Sequence, residues 1–252
     1  MLDITQLLSF EIGTDCNLSD RHSGICPINN IDRGNRVLTD ELIVNAVKDA
    51  HDDGFTGMVA FHFYNEPMLH TYRMFTLMDK ILKDIPNCRF ALWTNGTILI
   101  KDHHLKLFDR TYISNYFNFP MELYESIFTN VRIVGFGEDG LDSRLQQNLC
   151  SIKNYGGCRL PAHDMQINNG GSMHLCCHDW ENEIYIGNLF DSNIKTLAQK
   201  KFDIFNTIQN GMTDESPKKC LTCKYRLNFV CEFDIEIAQK ATLILDDYIK
   251  KN

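Results

Sequence analysis

No stretch of this sequence approaches the roughly 18 to 20 consecutive apolar residues that a membrane span requires. The start MLDITQLLSFEIG has neither a basic leading segment nor a small-residue cleavage site. A soluble, unsecreted, cytoplasmic protein with no membrane partner is the expectation. Positive charge is also short, since 25 Lys and Arg against 33 Asp and Glu leave a net charge of −8. With no compensating basic stripe, a nucleic-acid backbone is excluded as the main partner, because such binding rests on Lys and Arg contacts to phosphate. Internal repeats and low-complexity segments are absent as well, which removes repeat architectures and leaves an ordinary globular composition.

What the chain does have is cysteine, ten in 252 residues. Without an export signal these thiols are expected to be reduced, metal-bound or buried rather than paired in disulfides. Six of them fall from residue 158 onward. Cys158, Cys176, Cys220 and Cys223 form the candidate ligand set, and Cys177 and Cys231 are the spares. The Cys220-Leu-Thr-Cys223 pair puts two sulfurs on one tight turn, where they can serve one metal centre. Four thiolates suit an iron–sulfur cluster and equally a closed zinc site; ligand softness and count do not separate the two. Cys88 and Cys150 read as small buried apolar residues.

From residue 8 to about 150 short apolar runs alternate with helical stretches, the pattern of βα units and a parallel sheet. Leu8 to Gly13, Gly57 to Phe63, Arg89 to Trp93, Tyr112 to Phe119 and Val131 to Phe136 read as strands. Helices are predicted from Thr39 to about Gly54, over Thr71 to Leu82 and around His103 to Phe108. Five or six strands are too few for an eight-stranded barrel. The predicted fold is therefore α/β, a partial, open βα barrel over residues 1–150. A small cysteine-rich module with a C-terminal helix follows over residues 151–252. Within that module Met173 to Cys176 and Ile184 to Ile186 read as a small hairpin, and Cys231 to Ile249 has helical spacing. Lys200-Lys201 reads as part of a solvated helix face, and the aromatic run from Tyr112 as core or the lining of a pocket.

In parallel α/β folds, ligands sit where loops converge at the carboxyl ends of strands. Three such loops carry chemistry: Cys16-Asn17-Leu18, Tyr64-Asn65-Glu66-Pro67 and Thr94-Asn95-Gly96. In this order, FEIGTDCNL, FHFYNEPMLH and LWTNGTIL resemble the successive motifs of the radical S-adenosylmethionine superfamily: a cysteine motif after the first strand, a Gly-Gly-Glu-Pro-like loop and a Thr-Asn-Gly. The spacing of Cys158, Gly171 to Cys176 and Cys220 to Cys223 resembles that superfamily's C-terminal SPASM or twitch module. One departure stands out. After Cys16 the family pattern expects cysteines at 20 and 23, and this chain has Asp20 and Ser23; its next cysteine is Cys26, before Pro27. His22 is the nearest substitute third ligand, since imidazole can replace thiolate on a cluster iron.

The resemblance implies two cofactors: S-adenosylmethionine, and a [4Fe-4S] cluster at Cys16, Cys26 and His22 whose open iron takes that molecule. It implies that Glu66, with Tyr64 and Asn65 in its loop, engages the methionine amino group, and that Asn95 lies near the bound cofactor. A single auxiliary cluster at the C-terminal cysteines is implied too, because seven residues separate Cys223 from Cys231 where a two-cluster module has five. The activity so implied is hydrogen-atom abstraction from a peptide or a small alcohol or amine, with an electron-donor protein as partner. The incomplete cysteine triad keeps a second reading open: a degenerate, metal-stabilised binding protein of the same fold without enzymatic activity.

Overall fold

The computed structural model describes residues 2–21, 26–98, 105–116, 130–135, 157–158 and 160–223. Its centre is one eight-stranded sheet. In chain order the strands are β1 (Leu7–Phe10), β2 (Met58–Ala60), β3 (Arg89–Thr94), β4 (Arg110–Asn115), β5 (Val131–Gly135), β6 (Asp164–Ile167), β7 (Ser172–His174) and β8 (Gly187–Asn188). Across the sheet they run β5-β4-β3-β2-β1-β6-β7-β8. The first six pair in parallel with one another, and β7 and β8 are added antiparallel beyond β6 at one edge.

The crossover helices follow from local chemistry. Helix α1 (Asp40–Asp52) starts at Thr39, whose Oγ1 accepts the Leu42 amide at 3.2 Å, and it places Asp40 and Glu41 at the positive end of the helix dipole. Ile43, Ala46, Val47 and Ala50 make its buried stripe, and Gly54 takes φ +94° just past its end. Helix α2 (Thr71–Asp84) buries Met74, Leu77, Met78 and Ile81. Right-handed crossovers put both helices on one face of the sheet. Strand residues alternate accordingly. Leu8, Phe10, Val59, Phe61, Phe90, Leu92, Met165 and Ile167 are all but completely buried on one face. The other face has a floor of small or neutral groups, Ser9, Ala60, Ala91 and Gln166. Beside it the half-buried Trp93 ring stacks on His62 at 4.7 Å and on Tyr112 at 4.2 Å.

The parallel core thus has the predicted open-barrel character, with one strand that the sequence pattern hid. Strand β6 lies after the glycine pair and hydrogen-bonds along β1, with Leu7 opposite Asp164 and Phe10 opposite Ile167. Its Asp-Met-Gln-Ile run is too short and too mixed to announce itself as a buried strand. The hairpin partner of β7 is at Gly187–Asn188 rather than Ile184 to Ile186. Two further α-helices are α3 (Leu160–His163) and α4 (Ile194–Ile208). Cys150, His103-His104 and the stretch from Cys231 to Ile249 lie outside the described residues.

By compactness the chain divides into one unit of Met1–Gln146 with Arg159–Asn206, and a second of Gln147–Cys158 with Thr207–Asn252. This differs from a single cut near residue 150 because β6, β7 and β8 extend the sheet of the first unit. In the second unit Cys158 donates its amide to the Ile208 carbonyl at 2.9 Å, and α5 (Lys218–Leu221) carries Cys220.

Candidate functional site

The three strand-end loops meet, and Glu66 is what joins them. This residue caps the short 3-10 turn Pro67–His70, and its Oε1 accepts the Met68 amide at 3.0 Å. The same oxygen accepts the Thr94 hydroxyl at 2.7 Å, Oε2 accepts the Asn95 amide at 2.7 Å, and the Glu66 amide itself donates to the Asp15 carbonyl at 2.9 Å. The side chain is 2 % exposed. Burial raises its carboxyl above the ordinary range, outweighing the three hydrogen bonds that favour the charged form. Its acceptor sites are therefore largely taken by protein donors, and its clearest role is to hold the β2 and β3 loops together under the Cys16 loop.

Cys16 sits at the surface of this knot. Its sulfur accepts the Leu18 amide at 3.4 Å and the Asn95 Nδ2 at 3.6 Å. Asn95 also donates to Asn17 Oδ1 at 2.9 Å, and Asn17 donates to Thr97 Oγ1 at 2.7 Å. Cys26 is buried in an apolar cluster with Ile28, Ile31, Phe63 and Tyr64, and Cys16, Cys177 and Trp180 pack against it. Burial pushes the Cys16 thiol up, and the charges of Glu66 and Cys26 push it in the same direction. Two desolvated thiols in one apolar pocket, with amide donors aimed at sulfur, suit a soft, thiolate-bound group whose metal charge offsets that cost. His22 lies outside the described residues.

Tyr64 and Asn65 are placed by the fold rather than left open. The Tyr64 hydroxyl donates to the Cys177 carbonyl, and its amide donates to Glu11 Oε1 at 3.3 Å. Asn65 bonds within its own turn, with Oδ1 accepting the Phe63 amide at 3.1 Å and Nδ2 donating to the Phe61 carbonyl at 3.3 Å.

A buried ion pair supports the same end of the sheet, and the sequence reading missed it. Arg33 donates to both oxygens of Glu11, from Nε at 2.8 Å and from the terminal nitrogen at 2.7 Å, while Glu11 has no exposed surface. Arg33 also donates to the carbonyls of Ile28 and Ile31. Glu11 Oε2 accepts the Asn169 amide at 2.9 Å. The Cys26 segment, the β2 loop and the turn after β6 are therefore tied to the end of β1. The available signal was an acid inside the otherwise apolar LSFEIG, which demands a partner if buried.

Cys176 and Cys177 open a tight turn after β7, closed by the Asp179 amide on the Cys176 carbonyl at 3.0 Å. The Asp179 carboxylate accepts the Glu183 and Ile184 amides, and the Asp179 carbonyl faces His174 Nδ1 at 2.7 Å. Gly171 takes φ +85°, and a Cβ there would stand 2.8 Å from Asn188 Oδ1. Lys201 corrects the expectation of a solvated face: it is fully buried, and its Nζ donates to the carbonyls of Asp164 and His174. Burial brings its ammonium down to about 8 against the pull of the neighbouring Cys176 and Asp164 charges. Cys88 is likewise half-buried, not core. In the second unit, the Cys223 amide reaches back to the Cys220 carbonyl at 3.5 Å, the turn expected of a C-x-x-C pair.

Among the described residues no three His, Cys, Asp or Glu side chains gather around one point where a single ion would sit.

The fold and these loops define an open parallel α/β sheet with thiols and a buried carboxylate at its strand ends, followed by a cysteine-rich segment. Residues 158–224 match the model of the SPASM family, an iron–sulfur cluster-binding domain. The crystal structure of BtrN in complex with AdoMet and 2-DOIA superposes with a TM-score of 0.65 at 17 % identity, covering 87 % of this chain and 93 % of that one. Streptococcus suis SuiB bound to its precursor peptide SuiA gives 0.52 at 14 % identity, covering 88 % and 70 %. No curated protein matches by sequence. The domain match bears out the SPASM-like module expected from the C-terminal cysteine spacing, and the solved structures share the fold. Among the described residues no helix is long and apolar enough to cross a membrane.

Proposed function

We propose that the chain is a radical S-adenosylmethionine enzyme with one auxiliary iron–sulfur cluster. The observation that carries this reading is the knot at the strand ends, where Glu66 binds the Asn95 loop and Asn95 in turn reaches the Cys16 sulfur. A [4Fe-4S] cluster and S-adenosylmethionine held at this site would supply the radical chemistry for hydrogen-atom abstraction from a substrate. The protein's share is binding, orientation and exclusion of water. Cys16 and Cys26 hold the first cluster, with His22 as third ligand. Glu66, Tyr64 and Asn65 shape the loop that receives the cofactor. Cys158, Cys176, Cys220 and Cys223 hold the auxiliary cluster, a reading supported by the family match over 158–224.

Substrate binds on the sheet face that carries Ser9, His62, Trp93, Tyr112 and Gln166. The carboxamide oxygen of Gln166 is buried and has no hydrogen-bond partner among the described residues. A face of neutral polar groups favours a neutral hydrogen-bonding substrate, a small alcohol, an amine in its neutral form or a peptide group. BtrN was solved with 2-DOIA and SuiB with a precursor peptide, and both classes fit that description. The electron comes from a low-potential donor protein in a reducing, cytoplasmic compartment.

The degenerate reading is favoured by one specific observation: the Glu66 carboxylate is already engaged by three protein donors. Anaerobic reconstitution with iron and sulfide separates the two. The enzyme should bind about eight irons and release 5′-deoxyadenosine from S-adenosylmethionine under a low-potential reductant. About four irons with no 5′-deoxyadenosine would identify a binding protein that keeps only its C-terminal cluster.

A further inference from the structure

The Asn95 side chain is fixed in orientation, and the fixed orientation points its donor at sulfur. Its Oδ1 accepts two hydrogen bonds from Thr97, from the amide at 3.0 Å and from the hydroxyl at 2.6 Å. An amide turned the other way would set NH2 against the Thr97 amide, so Nδ2 is necessarily the end that faces Asn17 and Cys16. The two hydrogens on Nδ2 then have one acceptor each, Asn17 Oδ1 at 2.9 Å and Cys16 Sγ at 3.6 Å. Glu66 holds the Asn95 backbone by its amide at 2.7 Å, and the side chain is 5 % exposed. The contact is therefore built from three loops rather than left to a free rotamer.

We propose that Asn95 is a positioning residue that sets the reduction potential of the N-terminal cluster by hydrogen-bonding the Cys16 thiolate. The inference rests on the reading that Cys16 is a ligand of that cluster. Reduction adds a negative charge that is shared with the sulfurs. A donor aimed at a ligand sulfur stabilises the reduced form more than the oxidised one and raises the potential. The Leu18 amide makes a second such bond at 3.4 Å, but it is backbone and survives side-chain substitution. Asn95 is thus the adjustable member of the pair, and Glu66 acts on the cluster through it.

The test is a redox titration of the reconstituted full-length protein followed by electron paramagnetic resonance, in wild type, Asn95→Leu and Asn95→Asp. A Cys16→Ala variant assigns the signal, since the one lost in it belongs to the N-terminal cluster. With iron content retained, the midpoint of that signal should fall in Asn95→Leu and fall further in Asn95→Asp, while the auxiliary signal stays in place as an internal reference. Unchanged midpoints in both variants would overturn the proposal. So would a loss of half the iron in both, which would make Asn95 a structural residue only. If Cys16→Ala removes neither iron nor signal, the enzyme reading fails and this inference falls with it, an outcome visible before any Asn95 variant is titrated.

Discussion

Replacing Arg33 by Met should be among the most damaging single changes in the first unit, although Arg33 sits in a loop. The guanidinium makes four hydrogen bonds, two to Glu11 and one each to the Ile28 and Ile31 carbonyls. Its side chain is 12 % exposed and that of Glu11 is 0 % exposed, so the pair works with little solvent screening. Methionine fills much of the same volume but leaves the Glu11 carboxylate with only the Tyr64 and Asn169 amides, at 3.3 and 2.9 Å. Removing one partner of a buried pair typically costs about 3–5 kcal/mol, because the remaining charge is stranded. For a chain of this size that corresponds to a drop of roughly 6 to 20 °C in melting temperature. The double variant Glu11→Leu with Arg33→Met should lose less than the sum of the two single changes, since it strands no charge. A second readout follows from position. Ile28 and Ile31 belong to the apolar cluster that buries Cys26, so Arg33→Met should also lower the iron bound after reconstitution. Thermal melts and iron analysis on the three variants test this directly. A loss of less than about 1 kcal/mol in Arg33→Met, with full iron, would refute the argument that this pair organises the cysteine loop.

Gly170→Ala should destabilise by about 3 kcal/mol or more in a thermal melt, because the added Cβ would stand 1.5 Å from the Arg33 carbonyl oxygen, a backbone atom that cannot turn aside. A variant that melts with wild type would mean the loop carrying Arg33 is free to move off the β6 turn. Lys201 predicts a pH dependence. Its folded ammonium titrates near 8 against an ordinary 10.5, so between those values the unfolded chain holds a proton that the folded chain has released. Stability then rises with pH across that window, and the cost of burying the charge is at its full value below pH 8. At about 1.4 kcal/mol per pH unit, the stability of wild type relative to Lys201→Met should improve by about 3 kcal/mol from pH 8 to 10.5. A pH-independent difference in parallel denaturation curves would show that Lys201 stays charged throughout.

What could be read from the sequence, and what could not, divides along the range of the interactions. Helix α1 was legible because its signals are local: a Thr cap, acids in the first turn, apolar spacing and a glycine stop. The three strand-end loops were legible as a set because their order along the chain matches the order in which a parallel sheet presents its ends. Strand β6 was not, since four mixed residues acquire strand character only by pairing with β1 about 150 residues earlier. Lys201 misled for a related reason. A Lys-Lys pair on a helix normally marks the wet face, and only tertiary packing supplies the Asp164 and His174 carbonyls that make one of the two a buried cation.

The same division bears on the site itself. Glu66 could be found from its loop motif, but its partners could not, and the partners change what the residue does. With Thr94, Asn95 and Met68 taking its lone pairs, the carboxylate serves first as the fastener of the β2 and β3 loops. Through the Asn95 backbone it also fixes the amide that donates to the Cys16 sulfur, the contact by which it would act on a cluster held there under the function proposed above.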